Sequence, residues 1–162
     1  MSTAESSVRL APARWDDPDV QRLAEAQQAE LRARYDGGTE PGTPPSAADL
    51  ALVLLARGVD GTAIGCGALR RIADGVGELK RMYVVPAARG RGVARALLAA
   101  LEDEARNRGW STLRLETGPR QPEAIALYTG AGYRPVEAFG AYVADEKAGD
   151  SLFFERVLPG RP

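Results

Sequence analysis

The amino-acid sequence predicts an α+β domain built around one mixed β-sheet. Three apolar runs, separated only by short turns that contain Gly and Asp, are typical of an antiparallel meander, and they span residues 50–57, 61–72 and 77–85. Apolar residues at helical spacing then predict a helix that ends near residue 108. A strand pattern at 111–117 and a second helical pattern follow, so the sheet is predicted to contain a helix-linked strand pair.

A short strand at 8–13 and one helix are predicted before the meander. The helix begins with Asp17 as its cap and Pro18 at its first helical position. Its apolar residues fall on one face, and they are Val20, Leu23, Ala24 and Leu31.

The connection to the meander contains the only long Gly/Pro-rich segment, residues 36–45. A loop of this composition is either a flexible connector or functional. Residues Ser46 to Asp49 resemble a capping box, which predicts a helical turn just before the first strand of the meander.

The helix after the meander carries an apolar stripe that consists of Val93, Ala94, Leu97, Leu98, Leu101 and Ala105. Gly109 follows its last turn, as expected at a helix C-terminus. Pro122 begins a short helix at 121–132, and strands are predicted at 133–139 and 151–158. The predicted order is β-α-βββ-α-β-α-ββ, in one domain that spans residues 8–158 after a disordered tail at 1–7.

The composition restricts both partners and chemistry. The chain of 162 residues is 44% hydrophobic and 27% charged, with a net charge of −1, which gives no reason to expect nucleic acid or a membrane surface as a partner. No apolar run approaches the roughly 20 residues of a membrane span, and the N-terminus lacks signal-peptide features, so a cytoplasmic location is expected. There is no histidine and one cysteine, Cys66. The chain therefore lacks the commonest general base and any thiolate metal cluster, and no metal is predicted.

The segment VVPAARGRGVARALL, residues 84–98, begins a helix in an unusual way. No capping side chain or acid precedes the helix, although the positive end of a helix dipole repels arginines. A Walker-type loop is excluded because no Gly-Lys-Ser/Thr follows, and a dinucleotide fingerprint would need Gly or Ala in place of Arg95. Glycines that let backbone N–H groups approach a ligand at a helix N-terminus predict a pyrophosphate site instead. A basic, solvated helix start is the alternative, but it does not account for the glycines.

The same segment resembles the acetyl-coenzyme A motif of the GCN5-related N-acetyltransferase (GNAT) family, Arg/Gln-x-x-Gly-x-Gly/Ala, through Arg89, Gly92 and Ala94. Residues 78–110 look like the fourth strand and third helix of that family, and residues 124–136 look like its fourth helix and sixth strand. The resemblance implies a mixed, mainly antiparallel sheet of six to seven strands in a three-layer arrangement. About four helices would flank this sheet, which would be splayed between its fourth and fifth strands.

The resemblance also implies an acetyltransferase. Acetyl-coenzyme A would be the donor substrate, and the acetyl group would move directly to a primary amine of a small molecule or peptide in a ternary complex. The pantetheine arm would pair with the backbone of Met82, Tyr83 and Val84. The pyrophosphate would lie on the start of the helix, which contributes Arg89, Gly90, Arg91, Gly92, Val93, Ala94 and Arg95. Cys66 lies between glycines in a predicted strand, which indicates a small buried core residue rather than a nucleophile.

Two residues are predicted to be catalytic. Tyr128 matches the family tyrosine that faces the sulfur of coenzyme A, and a phenol of pKa near 10 is suited to protonate a departing thiolate. Glu78 matches the general base of the histone-acetylating branch, and a spacing of four residues along a strand predicts that it shares a face with Met82. An ion pair with Lys80 or Arg81 is the alternative role for Glu78. Glu116 is the second candidate for the base, and a water chain alone is a third alternative.

The acceptor is less constrained by the sequence. The resemblance implies a groove between the loop that contains Tyr35 and the loop at 137–149, with Phe139 and Tyr142 as candidate walls and Glu116 nearby. Two other functions stay open: an acyltransferase that uses another acyl-coenzyme A, and a non-catalytic sensor that only binds acyl-coenzyme A. A homodimer is one alternative for the assembly.

Overall fold

The computed structural model of the protein describes residues 8–37 and 40–160, so the tail predicted at 1–7 lies outside the described residues. The elements are β1 (Arg9–Pro12), α1 (Pro18–Arg34), β2 (Leu50–Arg57), β3 (Ala63–Ala73), β4 (Val76–Val84), α2 (Val93–Asn107), β5 (Thr112–Thr117), α3 (Pro122–Gly130), β6 (Arg134–Val136) and β7 (Leu152–Val157). This order confirms the prediction. The expected fourth helix is wrong for the described residues, because 40–49 form turns and coil rather than a helix after α1.

The seven strands form one sheet in the order β1-β2-β3-β4-β5-β7-β6. Strands β2, β3 and β4 pair as the predicted antiparallel meander, and β1 extends it by pairing antiparallel to β2. Helix α2 then carries the chain back across the sheet, so β5 runs parallel to β4. The two final strands restore antiparallel pairing, because β7 pairs with both β5 and β6. The sheet is therefore mixed and mainly antiparallel.

The parallel pair of β4 and β5 opens after only three positions. Its last pair is Glu78 with Arg114, although β4 continues to Val84. A β-bulge follows that point: β3 advances two residues, from Cys66 to Ala68, while β4 advances three. Arg81 in the bulge has a φ of 57°, a conformation that bends a strand and strengthens its twist. The bulge therefore turns the second half of β4 away from β5, and the sheet is splayed there as predicted.

Helices cover both faces of the sheet. The stripe of α2 is fully buried at Leu97, Leu101 and Ala105, and it packs on the same face as Tyr128 of α3. Helix α1 packs on the opposite face through Val20 and Leu23. A third, smaller cluster on the face of α1 consists of Phe139, Tyr142, Ala148 and Phe153. None of the helices described within residues 8–37 and 40–160 is long and apolar enough to cross a membrane.

Candidate active site

Two cavities meet where β4 and β5 separate. The first, which we call the α2 cavity, has a volume of about 550 Å³ and lies between α1, the end of β4, the start of α2 and α3. The second, which we call the loop cavity, has a volume of about 570 Å³ and lies between α1, the ends of β4 and β5, and the loops. Their shared lining residues are Gln27, Leu31, Met82, Gln121, Ala124 and Tyr128. The opening of the sheet thus connects two chambers at Met82 and Tyr128.

The start of α2 presents free backbone N–H groups to the α2 cavity. Gly92 occupies the N-cap position with a φ of 81°, and Gly90 has a φ of 78°, which are left-handed conformations that favour glycine. The first helical bond runs from the N–H of Ala96 to the carbonyl of Gly92, so the three preceding N–H groups have no partner in the helix. No side chain caps this helix and no acid lies in its first turn. By contrast, the carboxylate of Asp17 caps α1.

The ten residues predicted to hold the donor all line the α2 cavity except Arg91. Arg91 and Arg95 are exposed, whereas Arg89 is tied to the protein. The guanidinium of Arg89 pairs with both carboxylate oxygens of Glu30 at 3.0 and 2.8 Å, and its Nε donates to the carbonyl of Val84 at 2.9 Å. Arg89 therefore joins the end of β4 to α1 in this conformation.

A side chain of α1 holds the part of β4 that does not pair with β5. The side-chain amide of Gln27 donates to the carbonyl of Met82 at 2.9 Å. Sequence reasoning missed Gln27, because nothing in a single sequence connects a helix position to a carbonyl 55 residues away. The fixed backbone of Met82 to Val84 forms one wall of the α2 cavity.

Tyr128 lies at the junction of the two cavities and is 6% exposed. Its ring packs edge-to-face against Tyr133, with the centroids 5.6 Å apart. Burial, and to a smaller extent the charge of Glu116, raise the pKa of the phenol, so it is protonated at neutral pH. Within residues 8–37 and 40–160, no hydrogen bond holds the hydroxyl. Tyr128 therefore brings a protonated hydroxyl to the junction of the two cavities.

Glu78 does not lie in an environment suited to a general base. It is 1% exposed, and its Oε1 accepts from two nitrogens of Arg70 at 3.2 and 3.0 Å. Its Oε2 accepts from the hydroxyl of Tyr142 at 2.5 Å and lies 4.0 Å from Nζ of Lys80. Glu78 does not line either of the two cavities. The alternative role, an ion pair, fits the structure better, with Arg70 as the main partner.

The predicted shared face of Glu78 and Met82 is wrong. Met82 packs into the core beneath α2, together with Leu79 and Val84, whereas Glu78 contacts the cluster on the opposite face. The bulge at Arg81 is the physical reason, because one extra residue reverses the alternation of side chains along a strand.

Glu116 has the properties that Glu78 lacks. It is partly buried, it lines the loop cavity, and Tyr128 lines the same cavity. Burial raises the pKa of its carboxyl to about 7, while Lys80 lowers it and Glu40 and Glu78 raise it further. A carboxylate of this pKa exchanges its proton near neutral pH, which is the property required of a general base.

The residues predicted to line the acceptor groove have separate outcomes. Tyr35 lines the loop cavity, where its hydroxyl accepts from the backbone N–H of Arg120 at 3.0 Å. Phe139 and Tyr142 are not walls of this cavity; they are 7% and 4% exposed and stack with Phe153 in the third core cluster. Their loop folds inward because three aromatic rings bury more apolar surface together than each would alone.

The loop cavity is instead lined by a mixture of charged side chains. Lys80 and Arg81 both pair with Glu40, at 3.5 and 2.8 Å, which shows that the bulge turns two consecutive residues toward one face. Glu40 lies in the Gly/Pro-rich segment, which is the only sequence signal that marked this loop as functional. Among the described residues no group of three or more His, Cys, Asp or Glu side chains is arranged to hold a metal ion. The absence of a metal from the reaction stays a prediction.

Comparison with known proteins identifies a family, a curated relative and solved structures that are similar to this chain. Residues 11–133 match the profile of the acetyltransferase (GNAT) family. A protein named IAA acetyltransferase from Azospirillum brasilense is 48% identical over 99 residues, which cover 60% of this chain and 63% of that relative. The chain thus spans less than two thirds of the length of this curated relative.

Two solved structures share the fold. A crystal structure from Klebsiella pneumoniae, provisionally described as an acyl-CoA N-acyltransferase, has a TM-score of 0.81 and 36% identity, and covers 96% of this chain and 100% of that one. A PaiA N-acetyltransferase from Thermoplasma acidophilum, in complex with coenzyme A, has a TM-score of 0.68 and 18% identity, and covers 93% and 99%. At that identity the second structure shows the fold alone.

The buried position of Tyr142 leads to a prediction about stability. In Tyr142→Phe, Glu78 loses a hydroxyl donor and Lys80 loses a hydroxyl acceptor, so the free energy of unfolding should fall by about 1–3 kcal/mol. Chemical denaturation measures the change. Tyr128→Phe is the matched control and should change the free energy of unfolding by less than about 0.5 kcal/mol. Equal losses in the two variants would contradict the assignment of Tyr142 to the core.

Proposed function

The chain belongs to the GNAT family of acetyltransferases, and we propose that it transfers an acetyl group from acetyl-coenzyme A directly to a primary amine. The amine belongs to a small molecule or a peptide that binds in the loop cavity. One observation carries the proposal: the two cavities meet at Tyr128, between a site suited to a phosphate-bearing donor and a carboxylate of pKa about 7, so its phenol could donate a proton there.

The residues at the start of α2 fit a pyrophosphate. Three backbone N–H groups without helical partners, at the positive end of a helix with no acid of its own, are suited to bind an anion. Arg91 and Arg95 are exposed beside this helix start and add positive charge. Arg89 would contribute only after it exchanges Glu30 for a phosphate oxygen.

The unpaired part of β4 fits the extended arm of acetyl-coenzyme A. Pairing with β5 ends at Glu78, so the backbone of residues 79–84 has no strand partner on that side within the described chain. An extended amide-bearing chain that enters the opening can form hydrogen bonds to this edge, as an added strand does. The amide N–H of Val84 is our candidate donor to the developing negative charge on the thioester oxygen.

Acid and base functions are divided between two residues. Tyr128 would donate its proton to the departing thiolate, since its phenol is protonated at neutral pH. Glu116 would accept the proton of the ammonium form of the acceptor, which must become neutral before its lone pair attacks. We assign this role to Glu116 rather than to Glu78, because the carboxylate of Glu78 is already bound by Arg70 and Tyr142.

A covalent enzyme intermediate is disfavoured by the nucleophiles available. The chain has no histidine, and its one cysteine, Cys66, is 2% exposed with a pKa raised to about 12 by burial. These observations support direct transfer in a ternary complex. The acceptor, a cytoplasmic location and any homodimer stay predictions. The acceptor is tested by measuring the release of free thiol over a panel of amines, amino acids and peptides, together with IAA, which appears in the name of the Azospirillum brasilense relative.

The donor site is tested by Gly92→Glu. A carboxylate at the N-cap of α2 would occupy the anion site and repel phosphate, so binding of acetyl-coenzyme A should weaken at least 100-fold. Calorimetry measures the affinity. Gly109→Glu is the matched control, because Gly109 ends the same helix with a φ of 77° and has equally open space around it. Unchanged binding in Gly92→Glu, or equal losses in both variants, would overturn the site.

The role of Tyr128 is tested by Tyr128→Phe. Loss of the proton donor should reduce kcat about 100-fold, while the affinity for acetyl-coenzyme A stays within about twofold. The thiol-release assay and calorimetry separate the two effects. Tyr133→Phe serves as the control, because that hydroxyl donates to Glu102 at 3.0 Å in the core and should affect stability rather than turnover. Tyr128→Phe turning over at the parent rate would exclude the proposed donor.

The role of Glu116 predicts a pH dependence. Because its ionised form accepts the proton, kcat/KM should rise as the pH increases through about 7, and Glu116→Gln should be slow and lack this inflection. The pKa of Glu116 in the folded state lies above its ordinary value. The fold therefore loses stability as the pH rises from about 4.5 to about 7, and the full loss remains above pH 7. Glu116→Gln should therefore melt at a higher temperature than the parent at pH 8 and at the same temperature at pH 4. An unchanged pH profile would assign the base elsewhere.

A further inference from the structure

Lys80 and Glu116 lie on neighbouring strands, β4 and β5, just past the point where the sheet opens. The last pair of the parallel strands is Glu78 with Arg114. Lys80 and Glu116 each lie two residues beyond a member of that pair, so both side chains are on the face of the pair, because side chains alternate with a period of two. Both residues line the loop cavity.

The ammonium group of Lys80 is fixed in place. Its side chain is 7% exposed, which is rare for a lysine. Its Nζ donates to the hydroxyl of Tyr142 at 3.1 Å and to Oε1 of Glu40 at 3.5 Å, and it lies 4.0 Å from Oε2 of Glu78. The lysine therefore cannot turn its charge out to solvent without leaving these groups.

We propose that Lys80 is a positioning residue for the base: its fixed ammonium balances the charge that Glu116 acquires on ionisation and keeps this carboxylate able to accept a proton at neutral pH. The inference rests on the proposed function, and it adds a residue that acts through Glu116 rather than on the substrate. A buried carboxyl with no cation near it would stay protonated and could not serve as a base.

The charges around Glu116 fit this role. Titratable and charged side chains of α1, the segment 36–41, β4, the loop that follows β5, α3 and the segment 140–150 line the same cavity or interact electrostatically with Glu116: Arg32, Tyr35, Asp36, Glu40, Glu78, Lys80, Arg81, Arg120, Tyr128, Tyr142, Lys147 and Asp150. On β5 itself, Arg114 lies two residues away on the same face and pairs with Glu155. Burial is the largest influence on the pKa of Glu116 and raises it. Among the charged neighbours Lys80 lowers this pKa, whereas Glu40 and Glu78 raise it. Lys80 thus opposes the burial that would otherwise keep the base protonated.

Three lysine variants test the proposal directly. Carbon-13 NMR of carboxyl-labelled glutamate, with the Glu116 signal assigned by its loss in Glu116→Gln, gives the titration midpoint of this side chain without turnover. Lys80→Met retains the length of the stem and removes the charge, so the midpoint should rise from about 7 by one unit or more. Lys80→Arg keeps a charge and should stay within about half a unit of the parent. Lys147→Met removes the other lysine of the chain, exposed at the same cavity, and should shift the midpoint by less than about 0.3 unit.

A fourth variant should shift the midpoint in the opposite direction. Glu40→Gln removes a carboxylate that repels the charge of Glu116 and releases Lys80 from one of its partners, so the midpoint should fall. Glu40 lies in a partly exposed loop, which makes this variant informative even if Lys80→Met does not fold. A general loosening of the structure would lower the midpoint of Glu116 in Lys80→Met and in Glu40→Gln alike, toward the ordinary value for glutamate. Opposite shifts therefore separate an electrostatic role from a merely structural one.

The two proposals fail in different ways. An unchanged or lowered midpoint in Lys80→Met, or a raised midpoint in Glu40→Gln, overturns the role of Lys80, whatever the activity of the parent protein. A parent protein that binds acetyl-coenzyme A but releases no thiol with any acceptor overturns the proposed function, and the titrations still measure the coupling of Lys80 to Glu116. When transfer occurs, the inflection of kcat/KM should follow the NMR midpoint in each variant.

Discussion

The separation of β4 from β5 is the constraint on which the rest of the structure depends. A parallel pair that continued to the end of β4 would satisfy its backbone and leave no opening in the sheet. The bulge at Arg81 prevents this, because its extra residue and its φ of 57° turn the strand away after Glu78. Both cavities and the unpaired edge of β4 follow from that separation. The bulge also turns Lys80 and Arg81 to one face, so a single backbone irregularity positions both a binding edge and the charges of the loop cavity.

The two ends of α2 differ in how their backbone groups are satisfied. Its C-terminus ends at Gly109 in a left-handed conformation, which is the usual way to stop a helix. Its N-terminus lacks both a cap and an acid, whereas α1 has Asp17 and Asp19 at the equivalent place. A glycine at the N-cap costs roughly 0.3 kcal/mol of helix stability relative to Ser, Thr, Asp or Asn. In exchange, the helix leaves its N–H groups and the positive end of its dipole available to an external anion.

The order of the elements and the start of α2 were predictable from sequence because their causes are local. Hydrophobic periodicity, Pro at helix starts and Gly at helix ends act within a few residues. The side on which Glu78 lies was not predictable in this way, since one bulged residue reverses the pattern and no residue type in the strand announces the bulge. The positions of Phe139 and Tyr142 were also missed, because they depend on packing against Phe153 and on a hydrogen bond to a glutamate 64 residues away. Glu116 was only a second candidate, because its properties come from burial rather than from a motif.

The buried charges beneath the loop cavity distinguish Glu116 from the other carboxylates around it. Three cations, Arg70, Lys80 and Arg81, are matched by three carboxylates, those of Asp49, Glu78 and Glu40. Each of these groups is needed by a partner, and removing one partner of a buried pair is strongly destabilising. Glu116 is additional to this balanced set, so it can gain or lose a proton without breaking an ion pair. Glu116 has no ion pair of its own within the described residues, and the nearby ammonium of Lys80 offsets only part of the cost of its burial. A carboxylate that destabilises the fold when it ionises gives a physical reason to expect a function at its position.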